Sequence, residues 1–259
     1  MSEQIPHRRQ RCPALTRLRL FGALLLAVGV AAFAQEQRPL RFAVLESWTM
    51  PMMQFVDGQA TTGILYDLQM RLAQKIGRSA ELVVMPRLRL QRTLVRGEVD
   101  VHCYANPSWL QESHHQYIWS LPLLVQHDLI VGRSAEPDFT LEKLSGQHLG
   151  TVLGYSYPSL QALFDSARIH REDVRTQALA LEKLEAGRYR YALSNNLSLD
   201  WFNRHRSKAK QLHALGEISS DLIYCLVRDA PDVPTQALLG ALVQMKQDGE
   251  LEAILARYR

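Results

Sequence analysis

Residues Gly97–Gln111 read GEVDVHCYANPSWLQ, and the order of signals in this stretch decides the fold. Upstream, Leu88, Leu90, Leu94 and Val95 recur at near-helical spacing, and Gly97 supplies the left-handed stop that a helix C-terminus commonly uses. Val99, Val101 and Cys103 then form a short apolar strand that runs straight into a loop. In an α/β protein the loop beyond a strand's C-terminal end is where ligands are held, so the stretch predicts an element order and a site together.

Working outward, Leu40 to Leu45 (LRFAVL) reads as a buried strand, broken by the loop Ser47-Trp48-Thr49-Met50-Pro51. Leu65, Leu68, Leu72, Ala73 and Ile76 make one apolar helical stripe that Gly77 stops, and Glu81 to Met85 is a second strand. The resulting β-α-β-α-β order implies a parallel sheet with right-handed crossovers. After Tyr117 to Leu124 and Leu129 to Val131 the pattern begins again. A short helix (Phe139 to Leu144), a strand (His148 to Leu153), the loop Gly154-Tyr155-Ser156-Tyr157-Pro158 and a helix from Ser159 to about Ala167 follow in turn. Leu179, Leu181 and Leu184 lead to Gly187, then a strand Tyr191 to Ser194 opens into Asn195-Asn196, much as Cys103 led to Asn106. A strand Leu222 to Val227 and two closing helices, the last around Gly249 to Tyr258, complete two similar α/β lobes with two crossing segments.

The first 34 residues read as an export signal: five arginines precede an apolar run from Phe21 to Ala34, and Ala32-Phe33-Ala34 fits the small-x-small rule for cleavage after Ala34. That run is shorter than the roughly 20 residues that span a bilayer, so a cleaved peptide and a periplasmic mature chain are expected. Without the segment, acidic and basic residues are equal in number, so the pI near 9 gives no support to nucleic-acid binding. About 225 residues remain, enough for one large domain or two modest lobes. Cys103 and Cys225 are the cysteines left, and in an oxidising compartment they are either a disulfide or two buried thiols.

The chain resembles the family 3 periplasmic solute-binding proteins, whose fold is the two-lobed type II periplasmic binding fold. The markers are Asp67-Leu68, Gly97-Glu98-Val99-Asp100, Ser120-Leu121-Pro122, Leu144-Ser145-Gly146-Gln147 and Asp248-Gly249-Glu250-Leu251 with Ile254 and Tyr258, in that order across Leu40 to Arg259. The resemblance implies an α/β fold with lobe 1 at 40–127 plus 223–259 and lobe 2 at 130–220, each a mostly parallel sheet flanked by helices. A ligand would lie between the lobes, with an ABC permease or a membrane sensor as partner. The family's amino-acid binders grip the ligand carboxylate with an arginine after the third strand and its ammonium with an aspartate after a second-lobe strand. Counted without gaps from Asp100, those positions fall at Glu112 and Asn195, the threonine before the arginine falls at Trp109, and Arg190 stands where an acidic residue is usual. Standard recognition of α-amino acids is therefore not expected.

The loops that face the expected cleft supply Trp48, Asn106, Trp109, Tyr155, Ser156 and Asn195, the candidate ligand-binding residues; Tyr104 and Tyr157 read as packing residues. Aromatic faces and amides suit a small polar or cationic organic molecule, and Glu112 is a further group that could face a cation. No catalytic residue, metal site or cofactor is expected. HExxH, GxSxG, phosphate-loop and CxxC motifs are absent, and the adjacent His114-His115 pair points in different directions on a helix. The expectation is a monomeric solute-capturing clamp. The alternatives are a ligand-sensing clamp for a signalling partner and, in the same fold, a dehydratase-like enzyme using Glu112, His102, His114 or His115.

Overall fold

The computed structural model describes residues 38–110 and 115–259, so the export-type segment, Glu112 and His114 lie outside the described residues. The first half runs β1 (Leu40–Leu45), a hairpin of β2 (Gln54–Val56) and β3 (Gln59–Thr62), α1 (Ile64–Lys75), β4 (Ala80–Met85), α2 (Arg87–Val95) and β5 (Val101–Ala105). β1 lies parallel to β4 on one side and to β5 on the other. As a strand covered on both faces it is continuously apolar, and all of it except Arg41 is buried. α1 buries Ile64, Leu65, Leu68, Leu72 and Ala73 against it, each fully buried leucine contributing about 2 kcal/mol. Leu72→Ala would open a void under the sheet.

The second half consists of β6 (Tyr117–Trp119), β7 (Leu124–Gly132), β8 (His148–Val152), α3 (Gln161–Asp165), β9 (His170–Val174), α4 (Gln177–Glu185), β10 (Tyr191–Asn195), α5 (Asn196–Arg204), β11 (His213–Arg228), α6 (Thr235–Gln247) and α7 (Glu250–Ala256). Side chains alternate across β7 and β10. Ile130, Tyr191 and Leu193 join one apolar cluster, whereas Val131 and Ala192 join another on the opposite face. The second sheet is therefore covered on both sides, and its strands β8, β9 and β10 are parallel.

The two halves meet through β7 and β11, which pair antiparallel from His213–Gly132 to Ile223–Leu124. β11 then continues, pairing with β5 and β6, so one 16-residue strand belongs to both sheets. Among the described residues the strands follow the order β4-β1-β5-β11-β7-β10-β8-β9. This is the two-lobed α/β architecture the sequence predicts. Several local expectations change: Leu141–Leu144 is a single 3-10 turn, the helix after Tyr157 is short, and β9, α5 and the first half of β11 are additional elements. β9 escapes a periodicity search because it is an edge strand, and His170, Glu172 and Asp173 are exposed or half-exposed there.

Cys103 and Cys225 form a disulfide across β5 and β11, where they are register partners. At the base of the first sheet Asp100 is fully buried and accepts hydrogen bonds from Arg38, Arg41 and Arg228, with closest contacts of 2.6, 2.9 and 3.0 Å. The Gly97-Glu98-Val99-Asp100 segment thus ties β1, β5 and the end of β11 together through one carboxylate.

Candidate ligand-binding cleft

A cavity of about 70 Å³ opens at the C-terminal ends of β1, β5, β8 and β10, where the sheet order brings loops from both lobes together. Its first wall is aromatic. Trp48, from the loop after β1, stacks on His102 with ring centroids 6.1 Å apart and meets Tyr104 edge-on at 6.4 Å; Tyr104 in turn lies 6.2 Å from Trp109. Tyr104 enters the cavity because β5 bulges against β11. The register slips between Tyr224–Ala105 and Cys225–Cys103, leaving Tyr104 unmatched with φ 71°. A bulge of this kind re-aims a side chain, and a non-glycine residue held at positive φ marks a site where strain is tolerated.

The opposite wall comes from the second lobe: Tyr155 and Ser156 after β8, Gln177 at the start of α4, and Ser194 and Asn195 at the end of β10. Asn195 caps α5, its Oδ1 accepting the Ser198 N–H at 2.8 Å, so the sequence Ser-Asn-Asn stops the strand and starts the helix at the cleft edge. Ser47 donates to the Tyr155 hydroxyl at 3.2 Å, joining the walls directly. At the mouth, a Cβ on Gly154 would stand 3.0 Å from Leu88 Cδ2, and Gly154 has φ 77°. Glycine here lets the loop after β8 settle against the start of α2.

Two opposite charges line this space. Asp128 projects from β7, and Gln126 donates to its Oδ1 at 2.6 Å, while the Tyr104 hydroxyl donates to the side-chain Oε1 of Gln126. Ser219 gives its proton to Asp221 at 2.8 Å, leaving Asp128 Oδ2 with only a 3.5 Å contact. Burial, reinforced by the nearby Asp221, pushes the Asp128 carboxyl up to about 6. Arg87, the first residue of α2, donates to the Trp109 carbonyl at 3.1 Å, and burial lowers its pKa from the ordinary guanidinium value. Burial likewise raises the Tyr104 and Tyr155 hydroxyls, which stay protonated donors.

Of the residues expected at the site, Trp48, Trp109, Tyr155, Ser156 and Asn195 line the cavity together. Asn106 does not. Its Nδ2 donates to the Leu222 carbonyl at 2.9 Å and its Oδ1 accepts from Ser108, so it holds the loop after β5 in place. Tyr104 and Tyr157, read as packing residues, both line the cavity as well as being packed. Arg87, Gln126, Asp128, Gln177 and Ser194 also line the cavity, and sequence reasoning singled out none of them. Among the described residues no group of three or more His, Cys, Asp or Glu could hold a metal ion, and no helix is long and apolar enough to cross a membrane.

Comparison with known proteins agrees with this architecture. An ancestral arginine-binding protein bound to arginine shares 22% identity over 86% of this chain and 99% of its own, with a TM-score of 0.69. The VFT2 domain of BvgS from Bordetella pertussis gives 18%, 87%, 98% and 0.64 in the same order. The ancestral amino acid-binding protein AncCDT-1, a precursor of cyclohexadienyl dehydratase, gives 17%, 86%, 96% and 0.69. A search of curated proteins found no match. The sequence profile of one family spans residues 40–259, nearly all that the structure describes. The chain belongs to the bacterial extracellular solute-binding proteins, family 3.

Proposed function

We propose that this chain is an exported, monomeric clamp that captures a small amine-bearing polar molecule between its lobes and delivers it, unchanged, to a membrane partner. Lobe 1 would comprise residues 40–127 and 223–259, and lobe 2 residues 130–220, with β7 and β11 as the hinge. The observation that carries the reading is Asp128: a carboxylate drawn out of water, with one oxygen short of donors, in a cavity walled by Trp48, Tyr104, Trp109 and Tyr155. A cationic ammonium satisfies both features, since the carboxylate regains a charge-assisted hydrogen bond and each aromatic face adds roughly 0.5 to 2 kcal/mol. The narrowness of the cavity suits closure around a small ligand, the hinge bending where β7 and β11 cross.

An ABC permease is the partner expected of such a clamp. A membrane sensor is the second reading, since the same clamp could dock on either kind of partner. Thermal unfolding of the purified protein against amino acids, polyamines, quaternary amines, organic acids and short peptides tests the proposal. A ligand at 100 times its Kd adds about 2.7 kcal/mol. Stabilisation by amines that disappears in Asp128→Asn supports the reading, whereas stabilisation by neutral or purely anionic compounds alone would sink it. Turnover of a compound without binding-linked closure would move the chain to the enzymes of this fold.

A further inference from the structure

Tyr258, just beyond α7, is fixed to the start of α1 by its hydroxyl. That group donates to Asp67 Oδ2 at 2.8 Å, accepts from the Gly63 N–H at 3.1 Å and shares a 3.0 Å hydrogen bond with Thr62 Oγ1. Arg257 reaches the same Asp67 oxygen at 2.7 Å, so the C-terminal turn is pinned to the first half of the molecule from two residues. The ring of Tyr258 meets Trp201 of α5, a helix that grows out of β10 in the second sheet; the centroids are 6.2 Å apart and the planes tilted by 49°. Arg204 lies 5.0 Å from the Trp201 ring and His205 meets it edge-on at 5.8 Å, so its own helix braces the indole.

Close by, the two halves are not packed tightly. A groove of about 190 Å³ separates Thr49 and Met50 of the first from Leu181, Trp201 and Phe202 of the second, and Trp201 reaches past it to Tyr258. The same helix carries Asn195 at its N-cap, in the cleft wall, and Trp201 about 9 Å further along its axis. Resting on the reading of β7 and β11 as a hinge between two lobes, we infer that Trp201 and Tyr258 form a latch that holds the clamp closed, whatever solute it takes. The contact is made only while the lobes are together. Because hydrogen bonds already fix the Tyr258 ring, it loses little further freedom on meeting Trp201, and the aromatic contact favours closure directly. One such pair shifts the balance between open and closed clamp about fivefold, and the apparent affinity for a solute that needs the closed form shifts with it.

The test needs no solute. In small-angle scattering of the purified protein, Trp201→Leu and Tyr258→Leu should each show a larger radius of gyration than the wild type. The double variant should be no larger than either, because both substitutions remove one contact. Acrylamide should quench the tryptophans of Tyr258→Leu faster than those of the wild type, as Trp48 and Trp109 in the cavity wall gain access to water. A wild-type radius in Trp201→Leu overturns the latch. So does an additive expansion in the double variant, which would mean that each residue acts within its own half. Trp201 is half-buried on a helix surface, so Trp201→Leu decides the matter if Tyr258→Leu fails to fold. Calorimetry with putrescine separates the latch from the proposed solute class. Binding about fivefold weaker in Trp201→Leu supports both, and unchanged affinity overturns the latch alone. No putrescine binding by the wild type counts against the amine reading, while the scattering still decides the latch.

Discussion

Asp128 and Asn195 are register partners across the antiparallel pair of β7 and β10, so both side chains enter the cleft from adjacent strands on one face. The position where resemblance leads one to expect a charge, Asn195, keeps the α5 cap, a task that asparagine and aspartate perform about equally. The negative charge sits one strand away, on Asp128. The same face of the cleft thus keeps a carboxylate although the residue at the end of β10 is neutral.

The proposed amine binding carries a pH dependence that Asp128 sets. Its carboxyl titrates at about 6, above the ordinary 3.8, so at pH 5 about nine-tenths of it is protonated and cannot pair with an ammonium. Affinity for an amine is expected to rise about tenfold between pH 5 and pH 7.5 and then level off. Asp128→Asn should lower affinity ten- to a hundredfold and flatten the profile. Asn195→Asp should retain the cap but add a like charge beside Asp128, moving the rise to higher pH. Calorimetric titration across pH measures both. The unliganded protein should show the opposite trend. The folded state holds this proton more tightly than the unfolded chain, so Asp128 makes stability fall as pH rises from about 3.8 through about 6.

The buried Asp100 has the reverse sign. Hydrogen bonds from Arg38, Arg41 and Arg228 hold its carboxyl well below the usual range against the opposing cost of burial. Its stabilisation is present above pH 3.8 and is lost as pH falls below that value toward the lowered pKa. Asp100→Asn would leave three guanidiniums facing one another around a neutral amide. We expect a loss of about 3 kcal/mol, by urea unfolding at pH 7, with no change in ligand preference.

Much of this fold is legible in the chain, for specific reasons. β1 is legible because a strand covered on both faces must be continuously apolar, and α1 because Leu65, Leu68 and Leu72 keep one face. Trp48, Tyr155 and Asn195 are legible as loop residues following strands. Asp128 is not, because it sits inside LVQHDLIVG, whose outline is that of a crossing strand; which face it takes depends on register with β10 and β11. Arg87 hides in RLRLQR, where it looks like any charged residue on a helix surface. Tyr104 reads as packing because no local pattern announces the bulge that turns it inward.

Gly154 sets how closely the loop after β8 approaches the start of α2. Alanine there would press on Leu88 Cδ2 at 3.0 Å and occupy a left-handed conformation. The expected result of Gly154→Ala is at least fivefold weaker ligand binding with lobes held further apart, read as a larger radius of gyration for the liganded protein by small-angle scattering. Adding Leu88→Ala should recover part of the affinity, since Leu88 is mostly exposed and its removal relieves the contact. Failure of the second substitution to help would mean that backbone strain alone carries the effect.

The Cys103–Cys225 disulfide closes a loop with a sequence separation of 122 residues, spanning all of the second sheet. In the chain-entropy account a loop of this length restricts the unfolded ensemble by about 5 kcal/mol. Cys103 is the neighbour of Tyr104, and Cys225 lies at the register slip, so the bond also anchors the bulge that carries the Tyr104 ring into the cleft. Two outcomes should therefore accompany a Cys103→Ser, Cys225→Ser double variant. Its urea midpoint should fall sharply. Amine affinity, measured by calorimetry under conditions where the variant stays folded, should fall as well, because Tyr104 loses its fixed position beside Trp48 and Gln126. A variant that loses stability yet binds with wild-type affinity would show that pairing of β5 with β11 alone sets the bulge.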